Sequence, residues 1–284
     1  MLNLLVEPWH YEFMRRAFAI SGLIGSLCPV LGCFLIVQRM TMIADVVAHC
    51  VLPGLSVSYF LKWDLIFGAV ISGLCGGALI SWIRTQSQIK SDAAMALTFS
   101  TFFSLGILLT TVLRSKIDLD AFLYGNILSV AWWDVGRTAV IAAIVLGAIG
   151  LCYKELLFYT FDPTGAQAVG LPVKGMYWGF MAAITLTIIA SMQAVGVILV
   201  VSLLAVPALT ASLWVKALHQ MLLLGAAIGM AVSVTGVYLS YYCNLPSGPT
   251  IALLSTGLFL VSFGVSPSQG ILWRRWGRDR GLDE

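Results

Sequence analysis

One acidic residue and one histidine lie four positions apart inside an apolar stretch of the chain, at Asp45 and His49. On an α-helix this spacing puts both side chains on one face, with their Cβ atoms about 5–6 Å apart. A carboxylate oxygen and an imidazole nitrogen are both ligands for Mn²⁺, Fe²⁺ and Zn²⁺. The pair therefore predicts part of a divalent-metal site. Asp45 is expected more than a turn inside its apolar run, which favours a transport pathway.

A structural alternative exists for this pair and for the other candidate residues. Asp45 could cap the helix that follows Arg39, with His49 bonded to a neighbouring carbonyl group. Asp92, just after Ser91, is expected to be an N-cap. His10 and His219 are expected to lie in water. No G-x-x-x-x-G-K-[ST], H-E-x-x-H or G-x-S-x-G motif occurs in the sequence, so we expect no catalytic residues, no nucleotide site and no permanently bound cofactor.

The elements that must position Asp45 and His49 are membrane helices. Hydrophobic residues make up 60% and charged residues 10% of the 284 residues, whereas a soluble domain carries about 25% charged residues. A hydrocarbon core about 30 Å thick needs about 20 apolar residues per crossing. The sequence therefore predicts an all-α fold, with residues 1–284 forming one transmembrane domain. The net charge of +3 comes from scattered basic residues and does not support nucleic-acid binding.

Nine apolar runs are long enough to cross a membrane, at residues 17–37, 43–61, 65–83, 93–113, 134–153, 175–192, 195–215, 220–242 and 249–266. Residues 121–131 form a shorter run, which predicts a re-entrant or interfacial helix. Basic residues concentrate in alternate connections, and positively charged connections stay in the cytoplasm. This pattern predicts a cytoplasmic position for Arg39, Lys154 and Lys174, and an external N-terminus.

The connection at about residues 155–174 contains start and stop signals for a helix. An Asp-Pro pair is typical of a helix start, and a glycine followed closely by a proline is typical of a helix end. The pattern predicts a helix of about two turns. This helix either covers the membrane surface or docks on a cytoplasmic partner. Its residues are Asp162, Pro163, Thr164, Gly165, Ala166, Gln167, Ala168, Val169 and Gly170.

Together these motifs resemble the permease subunits of the manganese, zinc and iron ABC importers. The segments that carry the resemblance extend over nearly the whole chain, at residues 13–17, 38–54, 122–128, 161–172, 196–211 and 239–249. The resemblance implies a type II ABC importer fold in the bacterial plasma membrane. It also implies a homodimer of permeases surrounded by membrane lipid, an ATPase subunit as partner, and an external solute-binding protein that binds the metal.

Carried onto the matching positions, the resemblance makes Asp45 and His49 the pathway metal ligands and residues 162–170 the coupling helix seated on the ATPase. Ala44 stands where the family pattern usually has glycine. Asn244 stands where an aspartate is frequent, which puts a metal-attracting role of that turn in doubt. The expected function is import of a divalent metal, Mn²⁺ first and Zn²⁺ second, with iron open. The rival hypothesis is an ion-gradient carrier in which the same pair relays protons.

Overall fold

The computed structural model describes residues 7–113, 125 and 127–266, and in this part of the chain every regular element is helical. Two short 3₁₀ turns cover Glu7–His10 and Ile127–Ser129. The α-helices are α1 (Glu12–Val37), α2 (Ile43–Leu61), α3 (Leu65–Gln86), α4 (Ser91–Val112), α5 (Trp132–Leu151), α6 (Tyr153–Phe161), α7 (Pro163–Ala168), α8 (Val173–Val195), α9 (Val197–Trp214), α10 (Leu218–Cys243) and α11 (Ser247–Val265). The all-α prediction is confirmed.

Within the described residues, nine helices are long and apolar enough to cross a membrane, namely α1–α5 and α8–α11. The nine predicted runs correspond to them one for one. Their ends differ by a few residues, because caps and turns decide where a helix begins and hydropathy does not. The largest difference is at α1, which starts at Glu12, five residues before the predicted run.

Nine crossings place the connections alternately at the two ends of the bundle. The connections after α1, α3, α5 and α9 lie at one end, which we call the inner end. The basic residues in or beside them are Arg39, Arg84, Lys90, Lys154, Lys174 and Lys216. Because positively charged connections stay in the cytoplasm, we expect the inner end to face the cytoplasm.

The spans form two packed groups that α8 joins. In one group α1 packs along α9 and α10, and α11 packs against both of these; in the other, α2 packs between α3 and α4. Glycines allow the backbones to approach closely: a Cβ atom added to Gly25 of α1 would lie 2.7 Å from the carbonyl oxygen of Gly229 in α10. Gly54 and Gly68 meet in the same way between α2 and α3. Such contacts hold helices together where lipid removes the hydrophobic drive for association.

Three helices end with a residue other than glycine in the left-handed conformation, at Arg39, Lys62 and Asn244. After each, the next backbone N–H donates to the carbonyl oxygen five residues earlier, as in a Schellman motif. Asparagine and aspartate tolerate this conformation better than most side chains. Asn244 therefore has a structural role as the residue that ends α10, whatever charge the family pattern prefers there.

Most of the predicted short helix at residues 121–131 lies outside the described residues. Of its described part, Ile127 is fully buried and Gly125 adopts a positive φ of 60°. A Cβ atom on Gly125 would collide with the backbone of Val195 and Gly196, at the turn between α8 and α9. This contact places Gly125 inside the outer end of the bundle, while the re-entrant or interfacial helix itself stays a prediction.

Candidate metal-pathway site

Asp45 and His49 lie on the same face of α2, as their spacing predicts. Nδ1 of His49 lies 3.5 Å from Oδ1 of Asp45 and 2.9 Å from the backbone oxygen of the same residue. A carbonyl oxygen can only accept a hydrogen bond, so Nδ1 carries the proton and Nε2 keeps its lone pair in the neutral ring. Histidines that bind metals usually donate their second N–H in this way.

Asp45 lies closer to the end of α2 than the sequence indicated. α2 begins at Ile43, so Asp45 is in its first turn, and the expectation of a position more than a turn inside is wrong. The capping alternative is also wrong, because the N-cap is Met42 and no side chain caps it. Only the second half of that alternative is correct, since His49 does contact a carbonyl group, that of Asp45 itself.

Two phenylalanines of α4 hold the imidazole ring of His49. The ring centroids lie 4.8 Å from Phe99 and 5.3 Å from Phe103, and both contacts are edge-to-face. Such aromatic contacts stabilise one ring orientation. The side chain of His49 is 13% exposed, whereas that of Asp45 is 41% exposed. The pair is therefore a fixed imidazole beside a more accessible carboxylate.

Asp45 lines a cavity of about 720 Å³ at the inner end, which we call the Asp45 cavity. Its walls come from the end of α1, the connection after it, the first turn of α2, the first three turns of α4, and Leu209 of α9. Asp92 also lines it, and the only cationic wall residue that the structure describes is Arg39. The cavity thus presents two carboxylates, which suits a cation.

Asp92 was predicted to be an N-cap, and that prediction is wrong. The N-cap of α4 is Lys90, and Asp92 lies in the first turn of the helix, where negative charge is also favoured by the helix dipole. Sequence reasoning missed its place in the Asp45 cavity. The signal available was topological: with nine spans, α2 and α4 both begin at the inner end, so acids in their first turns share that end.

The predicted short helix between α6 and α8 is confirmed as α7. The carboxylate of Asp162 accepts hydrogen bonds from the backbone N–H of Gly165 and from the hydroxyl of Thr164, both at 2.9 Å. These two bonds hold the pKa of Asp162 below its usual value. Gly170 follows with a φ of 89°, which ends the helix. Inside α7 Ala166 is buried, while the residues after it are exposed.

The segment before α7 is also helical, which the sequence analysis did not predict. α6 covers Tyr153–Phe161 and has buried Tyr159 and Thr160 with exposed Lys154 and Glu155. α6 was not predicted because its sequence mixes charged with apolar residues and so does not form a continuous apolar run. α6 fixes the point at which α7 leaves the bundle.

The other histidines are exposed, as predicted for His10 and His219. His219 lies in the first turn of α10. In the described ranges, no three His, Cys, Asp or Glu residues come close enough to hold one metal ion.

The sequence also matches the model of a known protein family. The model of the ABC 3 transport family matches residues 10–266. The chain belongs to the ABC 3 transport family. The identification made from the motifs, a permease subunit of the metal-ion ABC importer family, is confirmed.

Relatives in this family match along nearly the whole chain. The manganese transport system membrane protein MntC of Listeria monocytogenes is 37% identical over 265 residues, which cover 93% of this chain and 95% of that protein. The manganese import system permease protein ScaB of Streptococcus gordonii is 38% identical over 276 residues, covering 97% and 99%. The solved structure of PsaBC from Streptococcus pneumoniae in complex with Fab superposes with a TM-score of 0.86 at 34% identity, over 99% of both chains.

Family membership and the nine apolar helices of the described residues establish the setting of the site. The chain is a multi-pass protein of the bacterial plasma membrane. Its fold is that of an ABC permease, as its likeness to PsaBC shows. The Asp45 cavity is therefore a cavity within a transport subunit.

Proposed function

We propose that this chain is the permease subunit of an ABC importer that moves a divalent metal ion into the cytoplasm, with Mn²⁺ as the first substrate and Zn²⁺ as the second. The observation that carries the proposal is the Asp45–His49 pair, whose carboxylate lines a cavity together with Asp92. The names of MntC and ScaB support manganese. The ligand types alone also suit Fe²⁺.

The pair gives a passing dication replacements for part of its water shell. The Nε2 atom of His49 is free to bind because Nδ1 donates to the backbone, and the carboxylate of Asp45 is accessible. Two protein ligands leave most positions around an octahedral Mn²⁺ to water or to other groups. Such an incomplete shell suits a transported ion, since tight closed sites release their metal slowly.

A second copy of the chain would complete the ligand set. α4 borders the Asp45 cavity, and only 22% of its membrane-spanning stretch is buried, compared with 67% for α1. Its outer face is therefore available to a partner. A twofold axis beside α2 and α4 would bring a second Asp45 and a second His49 to the same ion. This arrangement supports the homodimer.

Energy for transport would come from an ATPase subunit that docks on α7. The rigid start of α7, held by the Asp162 cap, and its exposed last residues suit a contact with a cytoplasmic protein. An external solute-binding protein would deliver the metal at the outer end. Closure of the ATPase dimer would then move α7 and α8 together. This movement would change the side of the membrane from which Asp45 and His49 are accessible.

The metal role is tested by Asp45→Asn, which removes the charge and keeps the size of the side chain. We expect manganese uptake to fall by at least about a hundredfold, because second-shell changes alone cost about 10–100-fold at metal sites. Uptake of radioactive manganese is measured in cells that produce the permease with its transport partners, with zinc and iron as competitors. Asp64→Asn is the matched control, since asparagine caps α3 as well as aspartate does. Normal uptake by Asp45→Asn would refute the metal role.

The ATPase role is tested by co-purification of the permease with an ATPase subunit. We expect removal of residues 162–170, or Val169→Glu alone, to abolish the association, because Val169 is exposed beside α7. Lys216→Glu changes the charge of another inner connection and should leave the complex intact. Transport that needs no ATPase and follows a proton gradient would instead support the carrier hypothesis.

A further inference from the structure

A second cavity, of about 590 Å³, lies at the inner end of the bundle, and we call it the Arg84 cavity. Its walls come from the end of α1, the last turns of α3, the end of α6, the start of α7 and the first turns of α8. Three cationic side chains line it, from Arg39, Arg84 and Lys174. None of the lining residues that the structure describes is acidic.

Among the described residues, no carboxylate lies within 4 Å of the cationic groups of the Arg84 cavity. The acid–base pair within that distance in the described part of the chain is Asp45 with His49. The hydrogen bond recorded for the Arg84 guanidinium runs to the sulfur of Met40 at 3.6 Å, and sulfur is a weak acceptor. Three positive charges around one space, with no acidic residue among its described walls, favour an anion there.

The hydroxyl groups of Tyr159 and Thr160 add neutral donors to the same space. The hydroxyls of Thr85 and Tyr177 also line it, but they donate to the backbone oxygens of Ser81 and Gly77. Burial raises the pKa of Tyr159, and the charge of Arg84 partly offsets this effect. The Tyr159 hydroxyl therefore keeps its proton at neutral pH and can donate. A tetrahedral anion with several oxygen acceptors, such as a phosphate group, matches this mixture of charged and neutral donors.

The surroundings of the Arg84 cavity place it at the boundary between lipid and water. Trp178 lines the cavity and is 42% exposed, and Trp82, two residues before Arg84 on α3, is also exposed. Tryptophan side chains concentrate at the level of the lipid headgroups. A soluble anion or an acidic protein loop would need no such apolar border, whereas the acyl chains of a lipid would contact it.

We propose that the Arg84 cavity binds the headgroup phosphate of an anionic phospholipid from the cytoplasmic leaflet. Basic pockets between membrane helices on the cytoplasmic side bind lipid headgroups of this kind. Because Pro163 and Lys174 are also wall residues, a bound phosphate would connect the start of α7 and α8 to the ends of α1 and α3. The lipid would therefore brace the segment through which a cytoplasmic partner acts. This site is separate from the metal pair and does not depend on the metal transported.

Native mass spectrometry of the full chain in detergent tests the proposal. The probes are dioleoyl phosphatidylglycerol, dioleoyl phosphatidylcholine and inorganic phosphate, each titrated separately. We expect the wild type to retain one phosphatidylglycerol in preference to phosphatidylcholine. Arg84→Gln and Lys174→Gln should each weaken that binding about tenfold, and Arg84→Lys should restore part of it. Lys216→Gln removes a charge from the same end outside the cavity and should bind as the wild type does.

Four results would overturn the proposal. If the protein retained phosphatidylcholine as well as phosphatidylglycerol, the site would not select for the net charge of the headgroup. If inorganic phosphate bound as tightly as phosphatidylglycerol, the cavity would be a site for free phosphate. Unchanged binding in both glutamine variants would place the lipid elsewhere. If Arg84→Gln or Lys174→Gln still bound the lipid but no longer bound an ATPase subunit, the cavity would be a docking site for that protein and not for lipid. If Arg84→Gln aggregates, Lys174→Gln carries the same test, because Lys174 is exposed.

Discussion

The Asp45 cavity and the Arg84 cavity lie at the same end of the bundle and have opposite charge. The first contains Asp45 and Asp92, the second contains Arg84 and Lys174, and Arg39 borders both. The connection between α1 and α2 contributes residues to the walls of both. One end of a membrane protein can thus attract a cation at one point and hold an anion at another.

The opposite charges of the two cavities show that the net charge of a connection between spans does not predict which ion binds beside it. The positive-inside rule counts basic residues near the ends of spans and correctly marks the inner end as positive. It does not show that the carboxylates of α2 and α4 face a cavity of their own. In the Asp45 cavity, Asp92 offsets the guanidinium of Arg39, so a cation leaving Asp45 does not meet positive charge alone.

The largest effect on transport is expected from a positive charge in the Asp45 cavity, like those in the Arg84 cavity. Asp45→Lys replaces the accessible carboxylate with an ammonium group, which repels a dication and cannot bind it. We expect manganese uptake at the background of cells without the permease, with the protein still inserted in the membrane. Uptake and membrane abundance are measured on the same cells. Uptake above one tenth of wild type at equal abundance would contradict the role of Asp45.

A smaller loss is expected from His49→Gln, because the carboxylate of Asp45 remains. Glutamine keeps a polar side chain but has no imidazole, so one ligand of the metal is weakened. We expect uptake to fall about tenfold, and zinc to compete less well than in the wild type because zinc prefers imidazole nitrogen. His219→Gln, at an exposed position at the same end, is the control and should transport normally. Equal losses in both variants would point to folding.

The spans and the shared helix face of Asp45 and His49 were open to prediction from the sequence because both depend on local pattern. Hydropathy over about 20 residues decides which segments cross the membrane. Spacing by four residues decides that Asp45 and His49 share a helix face. The start and stop residues around α7 are equally local, since Asp162 and Gly170 act through their own backbone neighbours.

The cavities and the helix ends could not be predicted because they depend on packing between distant segments. Asp92 and Asp45 line the same cavity only because α4 packs against α2. The Arg84 cavity brings together residues from α1, α3 and α8 that are far apart in the chain. Arg39 and Lys62 end their helices in a conformation for which the sequence rule expects glycine. The left-handed residue Arg39 ends the segment of α1, and α2 begins soon after it, at Ile43. The position of Asp45 in the first turn of α2 depends on this helix end.

A few-fold effect is expected from Asp92→Asn. Asp92 lines the Asp45 cavity but is not one of the two proposed ligands, so it would act on the ion through its charge. Removing that charge leaves Arg39 less compensated, and we expect manganese uptake to fall about threefold. Glu155→Gln removes an exposed carboxylate of the inner end that lies outside both cavities, and should have no effect. An equal effect of both variants would show that only the net charge of the inner end matters.

The smallest effect on transport is expected from Arg84→Gln, although the same change should weaken lipid binding about tenfold. Arg84 does not line the Asp45 cavity, so the metal meets the same ligands and the same nearby charges as in the wild type. We expect manganese uptake within about twofold of wild type at saturating metal, and an unchanged order of competition among manganese, zinc and iron. Arg39→Gln, which alters the wall shared by both cavities, should change uptake and lipid binding together. If Arg84→Gln changed the order of metal competition, the two cavities would not be independent, because a site that holds only a lipid phosphate makes no contact with the metal.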